Sequence, residues 1–224
     1  MSRRLLCFLE NQNPDFTGHS VLQWAAFLVD QCNFEACILV WGNTTSIEVP
    51  EPLEMIQGFC LDDFPLLTQM PTVDLMDVAK ELQKRFSADL VLVPASVLTS
   101  HLNVLGAAFS SLGGGDFWFG VSKCELLADG NFACWRTLNN RTLRMVASYP
   151  LTLAVQHHIG IPSYTMRRRS LQKLPLSEFS LDADMLHMRA AVFPEPVSIL
   201  HVPTTKTVQL DEALAFLVSE NANP

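Results

Sequence analysis

Apolar residues recur along this chain with two different periods, and the switches between them mark out its elements. Unbroken apolar runs at Leu5 to Leu9, Ala36 to Trp41 and Leu90 to Val93, and the mainly apolar stretch Pro150 to Gln156, have the pattern of strands buried on both faces of a sheet. Between them, apolar positions at three- and four-residue steps predict helices. One runs from about Gly18 to Cys32 with Val21, Leu22, Ala25, Phe27 and Leu28 toward the core, and one from about Pro52 to Phe59 with Pro52 near its first turn. Another spans Val73 to Phe86, with Asp74 capping it or in its first turn, and a strand is expected between the last two at Phe64 to Leu67. After Leu90 to Val93 comes a helix carrying Leu102, Leu105, Phe109 and Leu112, which Gly113 to Gly115 bring to an end. The period then drops to two: Val121 to Leu127, Phe132 to Leu138 and Thr142 to Val146 predict antiparallel strands joined by turns at Asp129-Gly130 and Asn139-Asn140. Alternating strands and helices require right-handed crossovers, so the expected fold is α/β, a doubly wound, mostly parallel Rossmann-like sheet with an antiparallel β-meander.

Over residues 163–206 the periodicity fades into a run rich in Pro, Ser and Arg, and an irregular stretch of that length suits a segment that wraps a partner. A final helix is expected at about Leu210 to Glu220. The organisation predicted is an α/β nucleotide-binding-like domain with its meander over residues 1–162. Residues 163–224 are the partner-wrapping segment and terminal helix of the same structural unit.

Composition narrows the function classes. The chain has 224 residues, 49% of them hydrophobic, enough to bury a full core. Its net charge of −8 argues against nucleic acid, which is bound through cations that neutralise phosphates. No apolar run is long enough for a membrane span, and Leu5 to Leu9 after Arg3 and Arg4 is too short for a signal-peptide core, so the protein is expected in the cytoplasm. The six cysteines have apolar neighbours and form no CxxC pair, as expected of reduced, buried thiols. His157 and His158 are adjacent on an extended stretch and face opposite ways, which suits a structural or partner-facing role better than metal ligation. There is no G-x-S-x-G elbow, and no catalytic set emerges, so the chain is not expected to be an enzyme in its own right.

In a doubly wound sheet a ligand lies outside the carboxyl ends of the strands, here Glu10 to Asn13, Gly42 to Thr45 and Pro94 to Asn103. Gly42 and Asn43 form the turn after the second strand. Thr99 and Ser100 place two hydroxyls, with Asn103, at a helix start whose free N–H groups suit a phosphate. The competing role for Thr99 or Ser100 is a plain helix cap.

The stretch DLVLVPAS, LNVLGAAFSSLGG and the meander up to SYPLTLAVQHHIG resembles the beta subunit of electron transfer flavoproteins. In that family a strand and helix precede a meander bearing an Arg, an acidic turn and a Pro that opens a strand of the type P-A-V-V-T. Arg136, Pro150 and the run Pro150 to Ala154 correspond to these. Leu53 to Leu67 is similar to the family's helix running into "ALAMGAD" and a strand. Ile161 to Tyr164 is similar to "N-E-P-R-Y", and Pro175-Leu176 with Ser180-Leu181 to "K-P-L-E-x-x-S-L".

The resemblance implies an adenine nucleotide, AMP, on a loop of the form A-I-D-D-D-x-N-Q-T-G, which is V-L-T-S-H-L-N-V-L-G here. Asn103 and Gly106 match its Asn and Gly, Thr99, Ser100 and His101 replace the three acids, and Val104-Leu105 replaces Gln-Thr. The cofactor-binding positions it implies are therefore Gly42, Asn43, Thr99, Ser100, Asn103 and Gly106, with AMP held weakly or not at all. Phe8 stands where the family has a small residue. FAD is implied as held mainly by, or shared with, an alpha subunit, with a flavin-dependent dehydrogenase as electron donor. The partner-facing residues implied are Arg136, Tyr164, Arg167, Arg168 and Arg169. A non-redox adenine-nucleotide-binding or regulatory module of the same sheet type is the alternative.

Overall fold

The computed structural model describes residues 3–11, 16–95, 100–138, 141–156 and 162–192. The chain divides into two units, Met1–Phe193 and Pro194–Pro224. The second lies outside the described residues, as do His157, His158, Asn139, Asn140 and the expected helix at Leu210 to Glu220.

The first unit begins β1 (Arg3–Glu10), α1 (Phe16–Cys32), β2 (Phe34–Trp41), β3 (Ser46–Pro50) and β4 (Gln57–Asp62). It continues through α2 (Thr72–Phe86), β5 (Leu90–Pro94), α3 (Ser100–Leu112), β6 (Asp116–Leu126), β7 (Phe132–Leu138), β8 (Arg141–Ala147) and β9 (Leu151–Val155). It ends with β10 (Met166–Ser170), β11 (Gln172–Pro175) and α4 (Ala183–Val192). Nine of these strands form one sheet in the order β11-β4-β2-β1-β5-β9-β6-β7-β8. Neighbours are parallel from β11 to β6 and antiparallel through β7 and β8. The fold is thus the doubly wound, mostly parallel α/β sheet with a meander.

Burial explains the apolar runs. Every residue of β5 and of β9 is buried, because helices cover both faces of the sheet's centre. Alternate residues of β1 divide between two cores: Leu5, Cys7 and Leu9 pack with α1, while Leu6 and Phe8 pack with α2 and α3. Gly106 lets α3 approach closely, since a Cβ there would lie 3.1 Å from Val93 Cγ1 and 3.2 Å from Thr152 Cγ2.

Three expectations are corrected. Pro52 to Phe59 is not a helix: Glu51–Leu53 is a single 3-10 turn and Gln57–Asp62 is β4. Eight residues make a marginal helix, and parallel pairing with β2, Leu39 opposite Phe59, offers their backbone a full ladder. Phe64 to Leu67 is not a strand. Pro65 has no N–H to give a ladder, and its carbonyl instead accepts a 2.9 Å hydrogen bond from Trp41 Nε1.

The third correction concerns the stretch after Tyr164, which is regular as far as Val192. There β10 pairs antiparallel with β3, β11 extends the main sheet beside β4, and α4 follows. Three arginines in five residues hide β10 from any apolar period. Asp74, buried in the first turn of α2, meets Arg189 of α4 at 2.6 Å, which ties the late helix to the sheet's second layer.

Candidate functional site

Adjacent strands β1 and β5 pair at Cys7 and Leu92, and their connections leave in opposite directions, β1 through α1 to β2 and β5 through α3 toward β6. That reversal is where a doubly wound sheet opens a crevice beyond its carboxyl ends. On the β2 side the crevice is closed down tightly. Asn11 N–H donates to the Trp41 carbonyl at 2.9 Å, and Asn11 Nδ2 donates to the Asn43 carbonyl at 3.1 Å. Gly42 has φ +105°, a conformation open mainly to glycine, and its N–H reaches the Leu61 carbonyl at 3.4 Å. A side chain there would also meet Asn11 Cβ at 3.3 Å.

On the β5 side, Thr99 lies outside the described residues and Ser100 is the first residue of α3. Asn103 is half-buried one turn further, and Gly106 is two turns in, occupied with packing against Val93 and Thr152. Gly42 and Asn43 therefore share one end of the sheet with the start of α3. They stand two strands apart, roughly 10 Å at the usual inter-strand spacing. Burial holds the His101 imidazole below its ordinary value and so keeps it neutral, and burial raises Glu10, the carboxyl that ends β1. A neutral ring and a carboxyl are poor companions for a phosphate.

Phe8 is buried and meets Phe109 edge-on, with ring centroids 5.9 Å apart. Phe109 lies nine residues beyond Ser100, about 14 Å along the helix at the usual rise. The ring therefore packs in the layer between α3 and the sheet, two residues before the carboxyl end of β1. No apolar period distinguishes a ring under the helix from one at the strand tip, so the sequence carried no signal for this.

The expected partner residues fall in two places. Tyr164 donates to Asp30 Oδ2 at 3.3 Å, Arg167 lies 3.6 Å from Glu51, Arg168 Nε donates to Ser46 Oγ at 3.0 Å, and Arg169 Nε donates to the Ile56 carbonyl at 3.1 Å. These four hold the β3/β10 ribbon and its approach. Arg136 lies on β7 near the other end of the main sheet, half-buried, its guanidinium 6.0 Å from the Phe119 ring centre.

Two grooves open elsewhere. One of about 960 Å³ lies between the end of α1 and the meander, lined in part by Phe27, Cys32, Cys124 and Trp135. The other, about 560 Å³, lies at the amino ends of β1 and β2. All six cysteines are free thiols, four of them buried. Burial pushes Cys37 and Cys134 up to about 12 and raises Cys32 and Cys124 as well, so none of these is a ready nucleophile at neutral pH. No cluster of three or more His, Cys, Asp or Glu among the described residues is arranged for a metal ion. No helix among them is long and apolar enough to cross a membrane.

Sheet order, switch point and meander together define a doubly wound, Rossmann-like α/β protein. No protein-family model matches the chain, and no curated protein matches its sequence.

Proposed function

We propose that this chain is the beta-like subunit of an electron transfer flavoprotein, working in the cytoplasm beside an FAD-carrying alpha subunit. Together they would pass electrons from a flavin-dependent dehydrogenase to an acceptor. The observation that supports the reading is the order of elements around β9. Strand β5 and helix α3 lead into a three-strand meander, Arg136 lies on β7, and the strand after Pro150 returns between β5 and β6. In this reading the chain has no catalytic residues. The flavin carries the electrons, and the protein supplies a wall of its site and a docking face.

Co-expression with an alpha subunit is expected to yield a yellow heterodimer, read by flavin absorbance across a sizing column, while the chain alone self-associates. Arg136→Ala should weaken that heterodimer and leave the isolated fold intact, because a half-buried residue on a meander contributes little to the core. Normal pairing combined with a much lower melting temperature would make Arg136 structural. A colourless monomer that ignores alpha subunits would leave the non-redox module as the reading.

The crevice carries a separate expectation. With Glu10 at its mouth and His101 neutral, AMP should bind weakly or not at all by calorimetry. Stoichiometric, tight binding that Asn103→Ala abolishes would restore the nucleotide site.

A further inference from the structure

The meander ends the main sheet, and its last strand, β8, is bonded on one side only, to β7. Alternate residues of β8 therefore turn backbone N–H and C=O groups outward with no strand of the described chain to receive them. Such an edge is a template for another strand unless something covers or protects it. Arg141 to Arg144 are all exposed, and Leu143 and Val146 are each 49% exposed. Directly inward from Arg144, in register, stand Trp135 of β7 and then Lys123 of β6. Lys123 Nζ lies 4.8 Å and Arg144 Cζ 5.6 Å from the Trp135 ring centre, so an aromatic ring is held between two cations across three strands.

The protein carries net charge −8, and of its cations elsewhere Lys80, Lys84, Arg85, Arg167, Lys173 and Arg189 are ion-paired, while Arg3, Arg168 and Arg169 donate to Tyr149, Ser46 and the Ile56 carbonyl. Lys123, Arg136, Arg141 and Arg144 have no carboxylate of the described residues within 4.0 Å. Glu125 of β6, opposite Ala133 of β7, lies on the same face as Lys123, two strands from the edge. Trp and Arg are the residues that most often anchor protein interfaces.

We propose that the β8 edge is a docking surface for an extended acidic segment of a partner protein. The segment adds as a tenth strand, its backbone on β8 and its carboxylates on Arg144 beside Trp135 on one face of the sheet and on Arg141 on the other. This surface does not depend on the flavoprotein reading. An acidic occupant follows from Arg141 and Arg144, exposed cations of the edge strand itself with no carboxylate of the described residues within 4.0 Å, and a strand follows from the open ladder. Nucleic acid is disfavoured by the repulsion of the acidic remainder.

The test uses the full chain and a fluorescent peptide of roughly eight residues repeating Glu-Glu-Val-Val, which puts carboxylates on both faces of a strand of that length. Polarisation should show saturable binding that weakens as salt is raised. Hydrogen exchange at Thr142 to Val146 should slow when the peptide is present, a readout that needs no variant. Arg141→Glu with Arg144→Glu should weaken binding about tenfold or more, and Arg144→Gln, the milder change, by a smaller factor. A peptide of the same charge with proline at its centre should fail to bind, because it cannot complete the ladder.

Four results would overturn the proposal. The first is no binding of the peptide, and the second is equal binding of the proline peptide, which leaves charge without strand addition. The third is tighter binding of an oligothymidylate of similar length, which makes the face a nucleic-acid surface. The fourth is aggregation of the glutamate variant while the native chain ignores the peptide, which makes the arginines only a guard on the edge.

Discussion

Phe8→Ala is expected to destabilise the protein by about 3–5 kcal/mol, lowering the melting temperature by roughly 6–20 °C for a chain of this size. The ring is 1% exposed in the layer beneath α2 and α3 and meets Phe109 edge-on, so its removal leaves a cavity that helix and sheet cannot readily collapse to fill. Calorimetric melting of the purified variant reads the effect, and Phe8→Leu, which keeps most of the apolar volume, should lose far less. If Phe8→Ala melts within a degree or two of the native chain, the ring is not packed between α3 and β1. The same variant separates structure from site. Lost stability without any gain in AMP affinity places the ring in the core, whereas tight AMP binding by Phe8→Ala would place it in the crevice.

Gly115→Ala should cost about 3 kcal/mol, or roughly 6–12 °C in melting temperature, for a different reason. A methyl group at this position would lie 2.2 Å from the Pro150 carbonyl oxygen and 2.7 Å from its carbon. Those are backbone atoms at the entry to β9, and moving them would disturb the pairing of Leu151 with both Asp116 and Leu90. Gly114 is the control, because it lies at φ +72° with nothing within 4 Å of a would-be Cβ. Asn tolerates that left-handed conformation, so Gly114→Asn should stay within about 1 kcal/mol of the native chain. Urea unfolding of the two variants side by side would show the contrast. Equal losses would mean that the turn's conformation matters more than the contact with Pro150.

Neighbouring glycines thus differ by what surrounds them, and the chain as a whole divides in a similar way. Its sequence by itself determined the elements that carry a local pattern: β1, β2, β5 and β9 as apolar runs, α1, α2 and α3 as periodic stripes, and the meander from its alternation and its Asp129-Gly130 turn. Gly130 has φ +84° and Asp129 accepts from the Asn131 N–H at 3.0 Å, the local chemistry such a turn calls for. These elements carry their own cause, since a strand covered on both faces must be apolar throughout and a helix on a sheet must be apolar at every third or fourth position.

What only the tertiary structure decided is the part held by partners distant in sequence. Leu53 to Leu61 becomes a turn and a strand because β2 offers it a ladder, and Met166 to Pro175 becomes two strands because β3 and β4 do the same. Hydrogen bonds to a neighbouring strand do not depend on which side chains a segment bears, so no local pattern announces them. The candidate site divides along the same line. Gly42 and Asn43 were legible as a turn, but the Asn11 contacts that tie it down, the neutral state of His101 and the packing role of Gly106 arise from surroundings assembled by the fold. Phe8 shows the limit most clearly: its place on a strand was written in the apolar run, while its depth beneath α3 was set by how the helix packs on the sheet.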